Sequence, residues 1–402
     1  MAGYDYLVVG GGAAADEAVR AIREIDHEGS VGMLSAEAFP PYDRPPLSKG
    51  LWSGSARLDG MFHQSGYEAL GIHLHLTAEV REIRPAEHVV VSSDGARWSY
   101  RKLLLATGSA PRALPVSAGP AGAVRTYRTL DDYIEVRQAV DAGRRRVAVF
   151  GGGFIGAELS AGLSMQDGAR VTLAFPQPSL WSNRLPKALS EQVTSYYTAH
   201  GIDVAAGEMV SAIERRADGA LDVRLAGGRR VTVDLGIAGI GVEPRLALAA
   251  RAGIATEGGI VVDPFCRTSA PDVFAAGDVA SFPSALGGRR RVEHEDHAHR
   301  HGRTAGRNMA GHEERYDYLP MFYSDLFDLG FEAVGDMDAR LEMFEDWVEP
   351  LAQGVVYYLD SERHVAGVLL WNVWDRLEAA RELLREGRAW KSPGDLAGRI
   401  RP

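Results

Sequence analysis

Tyr6-Leu7-Val8-Val9-Gly10-Gly11-Gly12-Ala13-Ala14-Ala15 is the stretch that decides the fold of this chain. Four apolar residues without polar alternation read as a strand buried on both faces. A glycine turn follows at once, and Asp16 to Ile25 then carries helical spacing. A second apolar strand, Val31 to Leu34, completes a βαβ unit. The same grammar returns about 140 residues later, as Val147-Ala148-Val149-Phe150, then Gly151-Gly152-Gly153-Phe154-Ile155-Gly156, a helix through Leu163 and a strand from Val171 to Phe175. Two such units predict an α/β protein with two doubly wound, Rossmann-like dinucleotide-binding domains.

Each turn follows the pattern G-x-G-x-x-G/A, with Gly10, Gly12 and Ala15 in the first and Gly151, Gly153 and Gly156 in the second. The first glycine permits the tight turn and the second lets backbone approach a pyrophosphate. The third small residue lets helix and strand pack closely, and the helix N-terminus supplies N–H groups and positive potential. One match alone is a weak signal; two, each in βαβ context, are a strong one. The acid that takes a ribose hydroxyl in such units is Glu37 in the first, one step late, with Ala36 at the tighter position and a plain surface loop as the alternative. In the second, Phe175-Pro176 is followed by neutral Gln177, which does not repel a 2′-phosphate as a carboxylate would. With Arg184 nearby in sequence, the choice between NADH and NADPH stays open.

Three further short apolar strands end in glycine: Leu103-Leu104-Leu105-Ala106-Thr107-Gly108, Leu235 to Gly241, and Val273-Phe274-Ala275-Ala276-Gly277-Asp278. After about residue 312 the pattern becomes antiparallel β, with Val355 to Leu359, a polar turn at Asp360–His364 and Val365 to Trp371. An amphipathic helix with Leu377, Ala380, Leu383 and Leu384 follows, which predicts a C-terminal α+β domain.

At 402 residues and 46% apolar content the chain has room for two to three domains. A formal charge of −10 argues against nucleic acid or an anionic membrane as a general partner. Arg289–Arg291 remains a local basic run. A strand pattern begins near the first residue and no segment approaches about 18 uninterrupted apolar residues, so a cytoplasmic protein without a membrane span is expected. The single cysteine, Cys266, excludes an intrachain dithiol relay. It is expected in a strand, as a buried small hydrophobe.

Pro41-Tyr42-Asp43-Arg44-Pro45-Pro46-Leu47-Ser48-Lys49, together with both glycine turns and Ala106-Thr107-Gly108, resembles the FAD-containing ferredoxin reductases of oxygenase systems and apoptosis-inducing factor. Arg289-Arg290-Arg291-Val292-Glu293-His294-Glu295-Asp296-His297-Ala298, Phe331 to Gly335 and Leu369 to Asn372 look closer to the latter. The resemblance spans essentially the whole chain. It implies an FAD-binding domain in two parts, 1–110 and 244–312, an NAD(P)-binding domain at 111–243 and the C-terminal domain at 313–402.

It further implies that FAD is held by Gly10, Gly12, Ala13, Ala14, Ala15, Glu37, Arg44, Lys49, Val80, Ala106, Thr107, Gly108 and Asp278, with Glu293, His294 and Tyr323 beside the isoalloxazine. NAD(P)H would lie on Gly151, Gly152, Gly153, Phe154, Ile155, Gly156, Gln177, Gly241 and Glu243. Where the family carries a Trp near the flavin, this chain has Phe322-Tyr323-Ser324-Asp325.

Three side chains are the expected catalytic set. Phe154 would stack over the flavin and swing aside for nicotinamide, or else cap its helix as core. Lys49 and Glu158 would pair beside flavin N5, where an ammonium favours the reduced anion and its partner limits the cost of burying it. His294, His297, His299 and His301 have zinc-like spacing, but residues i and i+2 do not share a helix face, so no metal is expected from them.

With no cysteine pair, electrons must leave a flavin directly. The leading expectation is an NAD(P)H:acceptor oxidoreductase serving a small ferredoxin or rubredoxin, or quinones and oxygen. A redox sensor that forms a stable flavin–nicotinamide complex and changes its oligomeric state is the alternative, with the homodimer left open.

Overall fold

The computed structural model describes residues 2–63, 65–114 and 122–401, which form two compact units. The first comprises Met1–Asp43, Leu58–Ala110 and Glu243–Pro320; the second comprises Arg44–Arg57, Pro111–Val242 and Met321–Pro402.

In the first unit the opening strand, Ala2–Val9, lies between Val31–Leu34 and Arg97–Leu105, parallel to both. Val273–Ala275 pairs with Arg97–Leu105, again in parallel. Leu7, Val8, Leu103 and Leu104 are fully buried, as strands covered on both faces must be. The helix Ala13–Ile25 starts three residues earlier than its periodicity suggests, because small Ala13 to Ala15 carry no amphipathic signal. Against it packs the helix Glu295–Met309. Contact is close because Gly302 and Gly306 have no side chain: a Cβ at either would fall 2.2 Å from the carbonyl oxygen of Ala14 or Ala18.

The second unit holds a five-stranded parallel sheet built on Arg146–Phe150, flanked by Arg170–Phe175 and Leu235–Ala238. The helix Phe154–Ser164 follows its glycine turn directly. A separate antiparallel sheet runs in the order Met321–Leu326, Leu329–Gly335, Val365–Trp371, Gln353–Leu359, Glu342–Glu349, and the helix Leu377–Glu386 packs on it. Among the described residues, no helix is long and apolar enough to cross a membrane.

Cys266 is not in a strand. It occupies a turn at φ +65°, where Asp263 Oδ1 accepts the N–H groups of Phe265 and Arg267 at 2.8 and 2.9 Å. The side-chain-capped turn overrides the local apolar run. The thiol is fully buried, and burial pushes its pKa well up.

His297 and His301 share the buried face of their helix. Burial holds both imidazoles below the ordinary value, with His301 at about 3. The folded chain therefore keeps them neutral while the unfolded chain protonates them below about pH 6.5. The unfolded state binds the extra protons, so stability falls with falling pH at up to about 1.4 kcal/mol per unit for each ring. His63 and His299 are shifted upwards and act oppositely, but only above about pH 6.5, where the unfolded chain has lost those protons. Between pH 6 and pH 5 the two rings should together contribute a loss of about 2 kcal/mol in urea denaturation, which the raised Glu158 and Glu332 carboxyls oppose. His301→Gln should roughly halve that loss; an unaltered pH dependence would show that its ring is not held neutral.

Candidate functional site

Strand register brings the first set of site residues to one edge. Leu34, Val9, Leu105 and Ala275 pair in a row across the sheet. The residues that follow each of them, Ser35 to Glu37, Gly10 to Gly12, Ala106 to Gly108 and Ala276 to Asp278, therefore leave from the carboxyl ends of parallel strands, where open α/β sheets take ligands. Phe150 pairs with Ala174 and Ala238 in the second unit, so Gly151 to Gly153, Gln177 and Gly239 to Gly241 leave from the equivalent edge.

The glycines in each turn divide into two kinds. Gly10 and Gly151 have φ of +144° and +112°, and a Cβ would lie 2.2 Å from the Ala106 carbonyl oxygen or 2.4 Å from that of Gly239. Gly11 and Gly152 would collide with Ser35 and Phe175, and Gly156 with the Gly151 carbonyl at 2.0 Å. These glycines let the protein approach itself. Gly152, expected to touch nicotinamide dinucleotide, is thus small because the Phe175 ring lies against it.

Gly12 and Gly153 differ: a Cβ at Gly12 meets nothing within 4 Å, and at Gly153 only the Gly239 oxygen at 3.8 Å. Each is the N-cap of its helix, and neither helix has a side-chain cap there. Unshielded backbone N–H groups beside open space at a helix N-terminus fit a dinucleotide pyrophosphate.

Other residues of the first set are positioned by the backbone. Thr107 donates to the Arg245 carbonyl at 3.5 Å, and the Gly108 carbonyl accepts the Arg245 N–H at 3.0 Å. Glu37 accepts the Tyr42 hydroxyl at 2.6 Å. Val80 opens the strand Val80–Arg84 and is partly buried. Asp278 lies in a short 3-10 turn, and its carbonyl accepts from Arg291, which also pairs with Glu293. His294 is the N-cap of Glu295–Met309. Arg289 donates to the carbonyls of Val262 and Ser281. The arginine run is thus partly used within the fold.

The second unit brings the expected ion pair together. Lys49 Nζ lies 3.3 Å from Glu158 Oε1 and 3.4 Å from Asp325 Oδ2, and 3.8 Å from the centre of the Tyr323 ring. Glu158 is buried; Ser48 Oγ donates to its Oε2 and Ser324 Oγ to its Oε1, each at 2.7 Å. Burial pushes the Glu158 carboxyl up, while Lys49 and the two hydroxyls pull it back towards ionisation. Both serines and Asp325 escaped the sequence reading. Alternation in the strand Met321–Leu326 was the available signal, since it puts Phe322, Ser324 and Leu326 on the buried face.

Phe154 packs against Trp181, Phe322 and Phe331 with centroids 5.3 to 6.1 Å apart, and the Arg184 guanidinium lies 5.1 Å from its ring centre. Arg184 is therefore engaged with this aromatic cluster. The Gln177 carbonyl accepts the Gly207 N–H at 2.8 Å. Ile155 follows Phe154 in the first helical turn, and Gly241, at φ +98°, and Glu243 are exposed. Arg44 donates to the Arg128 carbonyl at 3.0 Å.

Residues 4–302 match the family described as pyridine nucleotide-disulphide oxidoreductase. The chain is 32% identical to the mitochondrial apoptosis-inducing factor 1 of Dictyostelium discoideum, over 96% of this chain and 79% of that protein. It is 37% identical to the ferredoxin reductase subunit of the 5,5′-dehydrodivanillate O-demethylase of a Sphingobium species, over 83% and 82% of the two chains. Among solved structures, it is similar to a chain of the covalent putidaredoxin reductase–putidaredoxin complex, with a TM-score of 0.88 and 29% identity over 96% of this chain and 94% of that one.

Proposed function

The chain belongs to the pyridine nucleotide-disulphide oxidoreductase family, and from that membership we propose that it passes electrons from NAD(P)H to a small iron–sulfur protein. It is an FAD-dependent, NAD(P)H-using oxidoreductase; the identity of the acceptor is the proposal. One observation carries the direct passage of electrons to an outside acceptor. The one cysteine is fully buried in a turn with its thiol pushed towards the protonated form, so electrons have no thiol relay and must pass directly to an outside acceptor.

When bound, FAD supplies the chemistry, accepting two electrons with hydride from NAD(P)H and yielding them to the acceptor. The protein's own work is positioning and electrostatics. Gly12 and Gly153, with the helix ends they cap, would hold the two pyrophosphates. Asp278 would hold the ribitol chain, and Arg44, Glu293 and His294 the flavin side. Phe154 would border the nicotinamide. Lys49 would supply positive charge at the flavin N5 edge, and Glu158, fixed by Ser48 and Ser324, would hold that ammonium in place.

Similarity to ferredoxin reductases supports the acceptor class. The test is anaerobic stopped-flow reduction by NADH and by NADPH, followed by a panel of acceptors. Fast bleaching with fast turnover of a small iron–sulfur protein is the expected result. Slow bleaching with a long-wavelength charge-transfer band and altered sedimentation would replace this reading with a redox sensor.

A further inference from the structure

Among the described residues, one group outside the nucleotide turns brings metal-ligating side chains together. Asp43, Glu295 and His299 each offer one donor atom, and these atoms lie within 4.8 Å of one another. His63 stands beside them, with Nε2 2.8 Å from Asp43 Oδ1. The His63 and His299 rings stack with centroids 6.4 Å apart.

Both imidazoles are oriented from behind by carboxylates. His63 Nδ1 lies 3.1 Å from Asp16 Oδ2, and His299 Nδ1 lies 3.5 Å from Glu17 Oε1. Asp16 is itself buried and fixed by the Tyr67 hydroxyl and by Arg20 at 2.9 Å. Successive residues in one helical turn thus each hold one histidine by a single ring nitrogen and leave the other for a ligand. A carboxylate behind a histidine is the usual support of metal-ligating imidazoles, because it sets the tautomer and raises ligand basicity.

We propose that Asp43, His63, Glu295 and His299 form a binding site for one divalent transition cation of zinc type. Two imidazoles, two carboxylates and no thiolate make a donor set suited to such an ion. Bonds of about 2.1 Å set tetrahedral donors roughly 3.4 Å apart; the Asp43, Glu295 and His299 donors, now within 4.8 Å of one another, would have to draw in, and the 2.8 Å His63–Asp43 contact would have to open. Charge favours uptake: Asp16, Glu17, Asp43 and Glu295 surround the two rings, against Arg20 on Asp16 and Arg303 on Glu17. The ion would displace the proton shared between His63 Nε2 and Asp43, so uptake would release a proton.

The set differs from the one that the helix spacing brings to mind. His297 and His301 point into the core, while His299, between them in sequence, joins residues distant along the chain. Asp43 directly precedes the Arg44–Lys49 segment, so the ion would fasten its lead-in to the helix Glu295–Met309. The site is a structural clasp and does not depend on the acceptor.

The test uses purified yellow protein, washed with chelator, dialysed against micromolar zinc chloride and then against buffer. About one zinc per chain should be retained by atomic emission. His299→Ala and Asp43→Asn should each weaken retention at least about tenfold, at FAD content matching the parent. His27→Ala, at an exposed histidine outside the group, should not change it. Asp43→Asn keeps the shape of the side chain, so loss of zinc there with full FAD content reports ligation and not misfolding. Retention below about one zinc per ten chains, or retention equal in parent and both variants, would overturn the proposal.

Discussion

Gly12→Val should yield a folded protein without colour. The added side chain starts in open space, since a Cβ at Gly12 meets no atom within 4 Å, and its φ of −105° suits any residue. What it obstructs is the approach of a pyrophosphate to the first N–H groups of Ala13–Ile25. FAD affinity should fall by at least about a hundredfold, from lost charge-assisted hydrogen bonds and direct steric conflict. Far-ultraviolet circular dichroism of the flavin-free protein should match that of the parent stripped of flavin. The neighbouring position gives the contrast. Gly10→Val puts a Cβ 2.2 Å from the Ala106 carbonyl at φ +144°, and should damage folding itself. A Gly12→Val protein that stays yellow with parental affinity would remove the first turn from flavin binding. Gly153→Val makes the parallel case for the second turn, where flavin should stay bound and NAD(P)H binding should be lost.

Lys49→Met should give the largest kinetic loss of any single side chain that leaves FAD in place. The ammonium lies between Glu158, Asp325 and the Tyr323 ring, with its stem partly buried. Methionine keeps the stem volume and removes the charge. Loss of one preorganised electrostatic contact typically costs about 10²–10³-fold in rate. Bleaching by saturating NADH, followed anaerobically, should slow by about that factor with little change in the NADH concentration that half-saturates the rate. Removing the ammonium also leaves Glu158 buried without its counter-charge, so its carboxyl should rise further and take up a proton. The double variant Lys49→Met/Glu158→Gln should therefore recover stability without recovering rate. A bleaching rate unchanged in Lys49→Met would place the pair outside the reaction.

The fold was legible because its signals are local. Tyr6 to Val9 and Val147 to Phe150 are uninterrupted apolar strands running into glycine turns, and each chemical reason for a glycine acts within a few residues. The site was legible only in part. That Lys49 meets Glu158 came from resemblance, since no spacing rule links positions this far apart. Ser48 and Ser324 were invisible for a related reason: a hydroxyl in a sequence does not announce which distant carboxylate it serves. The Asp16–His63 contact likewise joins a helix to a loop through tertiary packing. Cys266 was misplaced because Asp263, three residues earlier, closes a turn that apolar patterning does not register.

That turn leaves the protein chemically blank to thiol reagents. Maleimides and iodoacetamide should find no native attachment point while the chain stays folded, as its one thiol is fully enclosed. A single cysteine introduced on the surface would then be the sole handle for a spin label, a fluorophore or a cross-linker. The parent sequence can accordingly serve, without prior mutation, as the background for mapping where an electron-accepting protein comes to rest.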